Sequence, residues 1–404
     1  MKKEVYLLGS LLFLSLLGGL LYYNTVLVDT QAYVPSVYYL QGKSLGQEDI
    51  VRVTASYAFK RPVEIFVASF LEPFVGVRQA YSILNMILYI VTTLLFYYYL
   101  KKFFKKEETA RREQLAYIGA VLYALSLPLI LYATRVLVDV AGYLTILLGL
   151  FLIDWIFEKK EIKCYHHCLA GFSIGVFLLV RDSVVILIPY YGLLLLDNLK
   201  ILNQINKIKS VLKAFIVVIC FAFCLLMPEI VFIWYYNVGS VLSGKAAAIT
   251  VGKYSFLGWL KFLIVHFAAF HIAYFFAYLG LKKEYDNKND NKRKKFYIGY
   301  GIFALVYLIG IQLVALTSPR FSMVLFPVIL PLAAMGILSL AEKMQTKIAV
   351  HKTILCCIFF YAIISFLGAW LYPSRTLILE DAGGNTVLYA VWDEIKRKIE
   401  VFFL

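Results

Sequence analysis

The amino-acid sequence predicts an all-α integral membrane protein with about eleven transmembrane helices. Of its 404 residues, 62% are hydrophobic and only 16% are charged, whereas soluble domains carry about 25% charged residues. The hydrophobic residues form runs of about twenty, the length that crosses a bilayer as a helix. Lysine and arginine gather in the short segments between these runs. This pattern excludes a soluble globular protein.

The apolar runs place the individual helices. Val5–Tyr23, preceded by Lys2 and Lys3, predicts a first helix whose N-terminus lies inside. Further helices are predicted at 79–100, 114–132, 136–157, 168–180, 183–197, 213–236, 259–281, 296–316, 319–341 and 353–372. The segments 168–180 and 183–197 are shorter than a usual span, so we expect a hairpin with Arg181 and Asp182 at its apex.

The distribution of positive charge predicts the topology. Six segments assigned to the cytoplasm hold 25 of the 40 lysines and arginines, which is the bias expected of cytoplasmic loops. Residues 24–78, 133–135, 181–182, 237–258 and 317–320 are then extracytoplasmic. The basic residues behind the net charge of +15 lie in short clusters between apolar runs and not on one face or in a tail. We therefore expect no nucleic-acid partner. The predicted location is the plasma membrane, with the functional residues expected on the extracytoplasmic side.

The chain divides into two predicted regions. Residues 1–372 form one transmembrane domain, whose loop at 24–78 holds short interfacial helices, among them Pro62–Val75. Residues 373–404 form a tail in which Leu388, Trp392 and Ile395 recur at helical spacing. This spacing predicts an amphipathic helix on the outer membrane surface.

The cysteines suggest no extracytoplasmic disulfide, because none of the six lies in a segment assigned to the outside. Cys164-x-His166-His167-Cys168 invites a zinc interpretation. Four ligands within five residues cannot easily surround one ion. We therefore interpret this segment as a cytoplasmic turn and assign no metal ligand.

Ionisable residues at membrane depth are costly, so each is a functional candidate. On the predicted topology several of them face the outer side. Simpler structural explanations remain open: Asp29 could cap a helix that starts near Ala32, Arg135 and Asp139 could form an i,i+4 pair, and Arg320 could reach the membrane interface. The candidates are Asp29, Tyr33, Arg61, Arg135, Asp139, Arg181, Asp182 and Arg320.

This inventory suits transfer of a sugar from a polyprenyl-phosphate carrier. Guanidinium groups hold phosphate through paired hydrogen bonds. A phosphate leaving group is already activated, so one carboxylate base together with cationic stabilisation of the phosphate suffices. The lipid tail of such a donor would lie among the helices, with its phosphate and sugar at the interface.

Five segments carry a family resemblance. They are Asp29 in the first loop, Arg61-Pro62 before an apolar stretch, Arg135-Val-Leu-Val-Asp139, Gly171-x3-Gly175 leading to Arg181, and Ser318-Pro319-Arg320-Phe321 ahead of Pro327. In these segments the chain resembles the membrane glycosyltransferases of the GT-C fold, in particular the branch of protein O-mannosyltransferases and lipid A aminoarabinose transferases. The likeness covers about residues 5–340. Arg181 and Phe321 stand where that branch usually has Lys and Tyr.

The resemblance implies inverting sugar transfer to a lipid, protein or cell-wall glycan acceptor. Asp29 would be the general base, and Asp139 would orient the acceptor or support the site. Arg181 and Arg320, with Arg61, would hold the donor phosphate, while Tyr33, Arg135 and Asp182 would position the substrate. Relatives often carry an acidic pair where residues 29–33 have one acid. The resemblance therefore implies no certain cofactor and leaves a divalent metal open.

Two other functions compete with this interpretation. A secondary transporter would also place charges among helices, and Glu229, His266 and His271 are its best candidates. A flippase for a lipid-linked substrate would not require Asp29. We find neither an internal repeat nor a charge cluster at the predicted midplane, so the transferase is the preferred interpretation.

Overall fold

A computed structural model describes residues 9–10, 30–47, 49–50, 53, 62–133, 139–159, 161–198, 208–236, 256–286, 291–313, 318–344 and 346–371. These residues are helical or lie in short connections, and no strand occurs among them. The expected first helix, apart from Gly9 and Ser10, lies outside the described residues. The same holds for residues 237–255 of the predicted segment 237–258 and for the tail at 373–404.

The helices follow one another in this order: α1 Thr30–Leu40, α2 Pro62–Val75, α3 Val77–Phe103, α4 Thr109–Ala124, α5 Leu127–Tyr132, α6 Asp139–Phe157, α7 Cys164–Leu178, α8 Leu187–Asn198, α9 Ile208–Tyr236, α10 Phe256–Phe270, α11 Ala273–Asp286, α12 Asn291–Leu313, α13 Pro319–Ser322, α14 Phe326–Glu342 and α15 Lys347–Leu371. Short 3₁₀ turns precede α8 at Asp182–Ile186 and α14 at Met323–Leu325.

This helix list confirms an all-α membrane architecture in its coarse form. In the described part of the chain, six helices are long and apolar enough to span a membrane, or seven if α10 and α11 are counted as one bent span. A helix is present at Pro62–Val75, and its interfacial position stays a prediction. The count of eleven spans stays a prediction, because several apolar segments are short or interrupted.

Lipid-facing surfaces distinguish the outer helices from the inner ones. The apolar part of the candidate span Arg320–Glu342, which includes α14, is 83% buried, whereas that of Ile348–Ala369 in α15 is only 17% buried. Exposed large apolar side chains cover α9 and α15, as a bilayer requires and water would disfavour. They include Phe215, Phe223, Trp234, Leu355 and Phe359.

Close helix contacts rest on glycine. A Cβ atom on Gly280 would lie 1.9 Å from the Leu332 carbonyl oxygen, and one on Gly336 would lie 1.9 Å from that of Phe276. Helices α11 and α14 therefore meet backbone to backbone. Small residues permit this close approach between membrane helices.

Three helix interruptions position the polar residues. Helix α6 begins at Asp139, and the chain between α7 and the following 3₁₀ turn breaks at Arg181, whose backbone is extended. Arg320 lies on α13, a helix of only four residues that Pro319 starts. Proline suits the first helical position because it needs no hydrogen-bond partner for a backbone N–H there.

Candidate functional site

Asp139 lies between two guanidinium groups. Arg181 Nη2 is 2.7 Å from Asp139 Oδ1, and Arg320 Nη1 is 3.5 Å from Asp139 Oδ2. The side chains of Asp139 and Arg181 are 1% and 3% exposed, while that of Arg320 is 18% exposed. The shorter contact is a close ion pair, and in the longer one Arg320 Nη1 also donates a hydrogen bond to Asp139 Oδ2. Arg320 is thus the more accessible of the two cations.

Asp182 extends this cluster to four alternating charges. Arg181 Nε is 3.7 Å from Asp182 Oδ1, and the Tyr307 hydroxyl donates to Asp182 Oδ2 at 3.5 Å. The order Asp182, Arg181, Asp139, Arg320 carries no net charge, which makes burial of the ions tolerable. Arg181 therefore contacts Asp139 more closely than it contacts its sequence neighbour Asp182.

Gly142 makes room for the Arg181 side chain. A Cβ atom at this position would lie 2.7 Å from Arg181 Cβ and 2.6 Å from Arg181 Cγ. Gly142 follows Asp139 by three residues and so lies on the same face of α6. The Arg181 side chain can therefore cross this face and reach the carboxylate of Asp139.

Helix α13 is fixed by three neighbouring helices. The Tyr143 hydroxyl of α6 donates to the Arg320 carbonyl oxygen at 3.0 Å. Ser318 Oγ lies 3.1 Å from the Tyr132 hydroxyl of α5. Ser322 Oγ shares a hydrogen bond with His266 Nδ1 of α10. These contacts hold the backbone on which Arg320 is carried, so its position is preorganised.

Phe321 lies beside both cations. The Arg181 and Arg320 guanidinium carbons are 5.7 Å and 5.2 Å from the centre of its ring. Such cation–π contacts are worth about 0.5–2 kcal/mol, depending on desolvation. Phe321 is itself buried. Its ring therefore offers an apolar surface to both arginines, which contact the same carboxylate.

The remaining predicted residues lie elsewhere or outside the described part. Asp29, Arg61 and Arg135 are outside the described residues. Tyr33 on α1 is buried and packs against Tyr81, with ring centres 5.9 Å apart. Its hydrophobic cluster includes Tyr132, the residue that contacts Ser318, so the first loop and α13 border on one another.

The sequence did not single out the supporting residues of this site. Gly142 and Tyr143 follow Asp139 at helical spacing, but a Gly-Tyr pair in an apolar run is not distinctive. The contact of His266 with Ser322 joins residues that are 56 positions apart. No local sequence pattern predicts this contact.

Asp139 is a poor ligand for a divalent metal. Both of its oxygens face guanidinium groups, and positive charge on two sides repels a cation. The expectation of a turn at 164–168 is wrong, because α7 begins at Cys164. His166 Nδ1 accepts the Lys163 backbone N–H and thereby caps the start of this helix.

Comparison with protein-family models and with curated proteins finds no match to this chain.

Proposed function

We propose that this protein is an inverting glycosyltransferase of the GT-C type, which moves a sugar from a polyprenyl-phosphate-linked donor to an acceptor on the extracytoplasmic face. The observation that carries the proposal is the convergence of Arg181 and Arg320 on the single carboxylate of Asp139. The proposal also rests on the family resemblance and on the charge bias of the loops.

Arg320 is the more accessible cation of the four-charge cluster. Each guanidinium offers several N–H groups in a rigid fork, whereas each carboxylate accepts through two oxygens. Arg320 keeps partial exposure on a preorganised helix. It is therefore the cation best placed to receive a phosphate, while Arg181 and Asp139 position it.

The proposed transfer forms one bond at the anomeric carbon and breaks another. The acceptor oxygen attacks the anomeric carbon, its proton moves to the Asp29 carboxylate, and the bond between the anomeric carbon and the phosphate oxygen breaks. The leaving polyprenyl phosphate keeps the electron pair, and Arg320 stabilises its charge. Attack from the face opposite the phosphate inverts the anomeric centre. Asp29 enters this scheme through the resemblance alone.

The donor-phosphate role is tested by binding of polyprenyl phosphate to the purified protein. We expect Arg320→Ala to weaken binding by about 1.5–3 kcal/mol, the range for hydrogen bonds to charged groups. Arg320→Lys should restore part of this loss, because the charge remains while the fork is lost. Arg111→Ala, at the other end of the bundle, is the matched control. Equal binding by wild type and Arg320→Ala, with both folded, would show that Arg320 does not bind the donor phosphate.

The base is tested separately with a panel of polyprenyl-phosphate sugars. Asp29→Asn should bind the carrier normally and lose turnover by about 10²–10⁴-fold, since an amide cannot accept the acceptor proton. Full turnover by this variant would show that Asp29 is not the general base and would favour its interpretation as a helix cap.

One observation favours the alternative of a secondary transporter or flippase. Residues 262–270 and 273–285 form a pair of helical segments bent by 73°, and His271 at the bend has a φ of 31°. Interrupted helices are common where transporters bind their substrates. His271 Nε2 is nevertheless 2.7 Å from Ser365 Oγ, which explains the residue as a buried helix contact. Movement of polyprenyl phosphate across vesicles, independent of Asp29, would favour the flippase.

A further inference from the structure

Three cysteine thiols meet where α7 packs against α9. The Sγ atoms of Cys164, Cys168 and Cys220 all lie within 4.8 Å of one another. Cys164 is exposed, and Cys168 and Cys220 are half-buried. The cluster is thus open to small solutes on one side and shielded on the other.

The sequence brings these thiols together through two independent features. Cys164 and Cys168 are four residues apart and share one face of α7. On the same helix, Gly171 and Gly175 allow α9 to approach closely. A Cβ atom on Gly171 would lie 2.3 Å from the Phe221 carbonyl oxygen, and one on Gly175 the same distance from that of Leu225. The two helices run parallel in this contact, so Cys220 lies opposite the pair on α7.

The spacing of the thiols matches metal coordination. A metal–sulfur bond is about 2.3 Å long, so ligands of one ion are separated by about 3.8–4.0 Å. Small side-chain rotations would bring the three sulfur atoms from within 4.8 Å to that distance. Thiolates select soft ions such as Cu(I) and Zn(II). The two neighbouring histidines have other contacts, His166 with the Lys163 backbone and His167 with Tyr191.

We propose that Cys164, Cys168 and Cys220 bind one Cu(I) ion in three-coordinate geometry. Each thiol that coordinates loses its proton to solvent, and no electron transfer is needed because the ion enters as Cu(I). Three sulfur atoms suit Cu(I), whereas a structural zinc site requires four ligands. The next thiol, Cys224, interacts with Cys168 but is not one of the mutually close three. This site is independent of the proposed transferase.

The test is anaerobic titration of the reduced, purified full-length protein with Cu(I) against a chromophoric Cu(I) chelator. We expect one tightly bound ion. Cys164→Ser, Cys168→Ser and Cys220→Ser should each weaken binding by about tenfold or more. The double variant Cys356→Ser/Cys357→Ser is the matched control, because these cysteines are on α15, and it should bind as wild type does. Thermal unfolding without metal shows that each variant remains folded.

Two results would overturn the copper site. One is equal Cu(I) affinity of wild type and folded Cys220→Ser. The other is preferential binding of Zn(II) that is lost in Cys224→Ser, since that outcome assigns a four-sulfur zinc site instead. Retention of Cu(I) by Cys224→Ser would support three-coordinate binding.

Discussion

Two charge clusters lie at opposite ends of α6, and they differ in burial and in the helices that carry them. At the start of α6, Asp139 contacts Arg181 and Arg320, which sit at helix interruptions. Beyond its other end is a network on helix ends and the turn before α4. This second network alternates in the order Glu284, Arg293, Glu107, Arg111, Glu342 and Lys283. The 19 residues of α6 span about 28 Å, close to the thickness of the hydrocarbon core.

The difference between the clusters lies in their accessible terminal cations. The network ends in Lys283, which is 38% exposed and acts as a hydrated point charge. The Asp139 cluster ends in Arg320, a rigid fork on a four-residue helix fixed by its neighbours. In the second network, alternating charges on different helices connect the ends of those helices. Charges on interrupted helices present a donor group in a set direction, which is the arrangement a phosphate site requires.

The largest expected effect is that the two ends of α6 lie on opposite sides of the membrane. On the proposed topology, Ser44→Cys faces outside and Ala110→Cys faces the cytoplasm, and both residues are exposed. An impermeant maleimide on intact cells should label the first and not the second, relative to the parent protein. Labelling of Ala110→Cys without permeabilisation would place the Asp139 cluster on the wrong face for the proposed transfer.

The two clusters should also differ in their contribution to stability. Asp139→Asn removes the charge that the buried Arg181 and the partly exposed Arg320 share, so we expect a loss of about 3–5 kcal/mol in the free energy of unfolding. Glu342→Gln is the matched change in the network. Its carboxylate is 36% exposed, and surface ion pairs are worth about 0–1 kcal/mol. Unfolding in detergent measures both. Equal losses would contradict the distinction drawn between the clusters.

Gly142 allows a subtler disturbance of the site. Alanine there favours the helix intrinsically, but its Cβ would meet Arg181 Cβ at 2.7 Å. We expect Gly142→Ala to cost about 1–3 kcal/mol through overpacking and to weaken polyprenyl-phosphate binding. Gly310→Ala on α12 is the control, since nothing lies within 4 Å of that position, and it should be neutral or stabilising. A neutral Gly142→Ala would show that Arg181 can relocate freely.

The smallest expected effect concerns a contact outside the candidate spans. Hydrogen bonds from Lys43 and then Gln41 lower the pKa of Glu72 below its usual value. Because the folded pKa is depressed, this contact stabilises the protein above the unfolded pKa, and its contribution is lost as pH falls through the folded pKa. Thermal unfolding between neutral and acid pH should show a weaker decline in Lys43→Met. High salt should reduce the difference, because Lys43 is 48% exposed. An identical pH profile of wild type and Lys43→Met would show that this contact does not contribute to stability.

Helix positions could be predicted from the apolar runs, but the interruptions could be predicted only in part. Pro128 lies at the start of α5 and marks the break after α4, because proline begins helices more readily than it continues them. The bend between α10 and α11 occurs at His271 without proline or glycine. No local signal predicts it, since packing against Ser365 and Tyr361 accompanies the bend.

The sequence by itself determined the all-helical membrane class and the candidate status of Asp139, Arg181 and Arg320. Apolar run length and the cost of charge in a bilayer are local properties, which any stretch of sequence reveals. Only the tertiary structure decided that both arginines contact the same aspartate, and that Cys220 joins Cys164 and Cys168. These contacts join residues from separate helices. They depend on close approach at Gly142, Gly171 and Gly175, which is a property of packed pairs of helices and not of either helix alone.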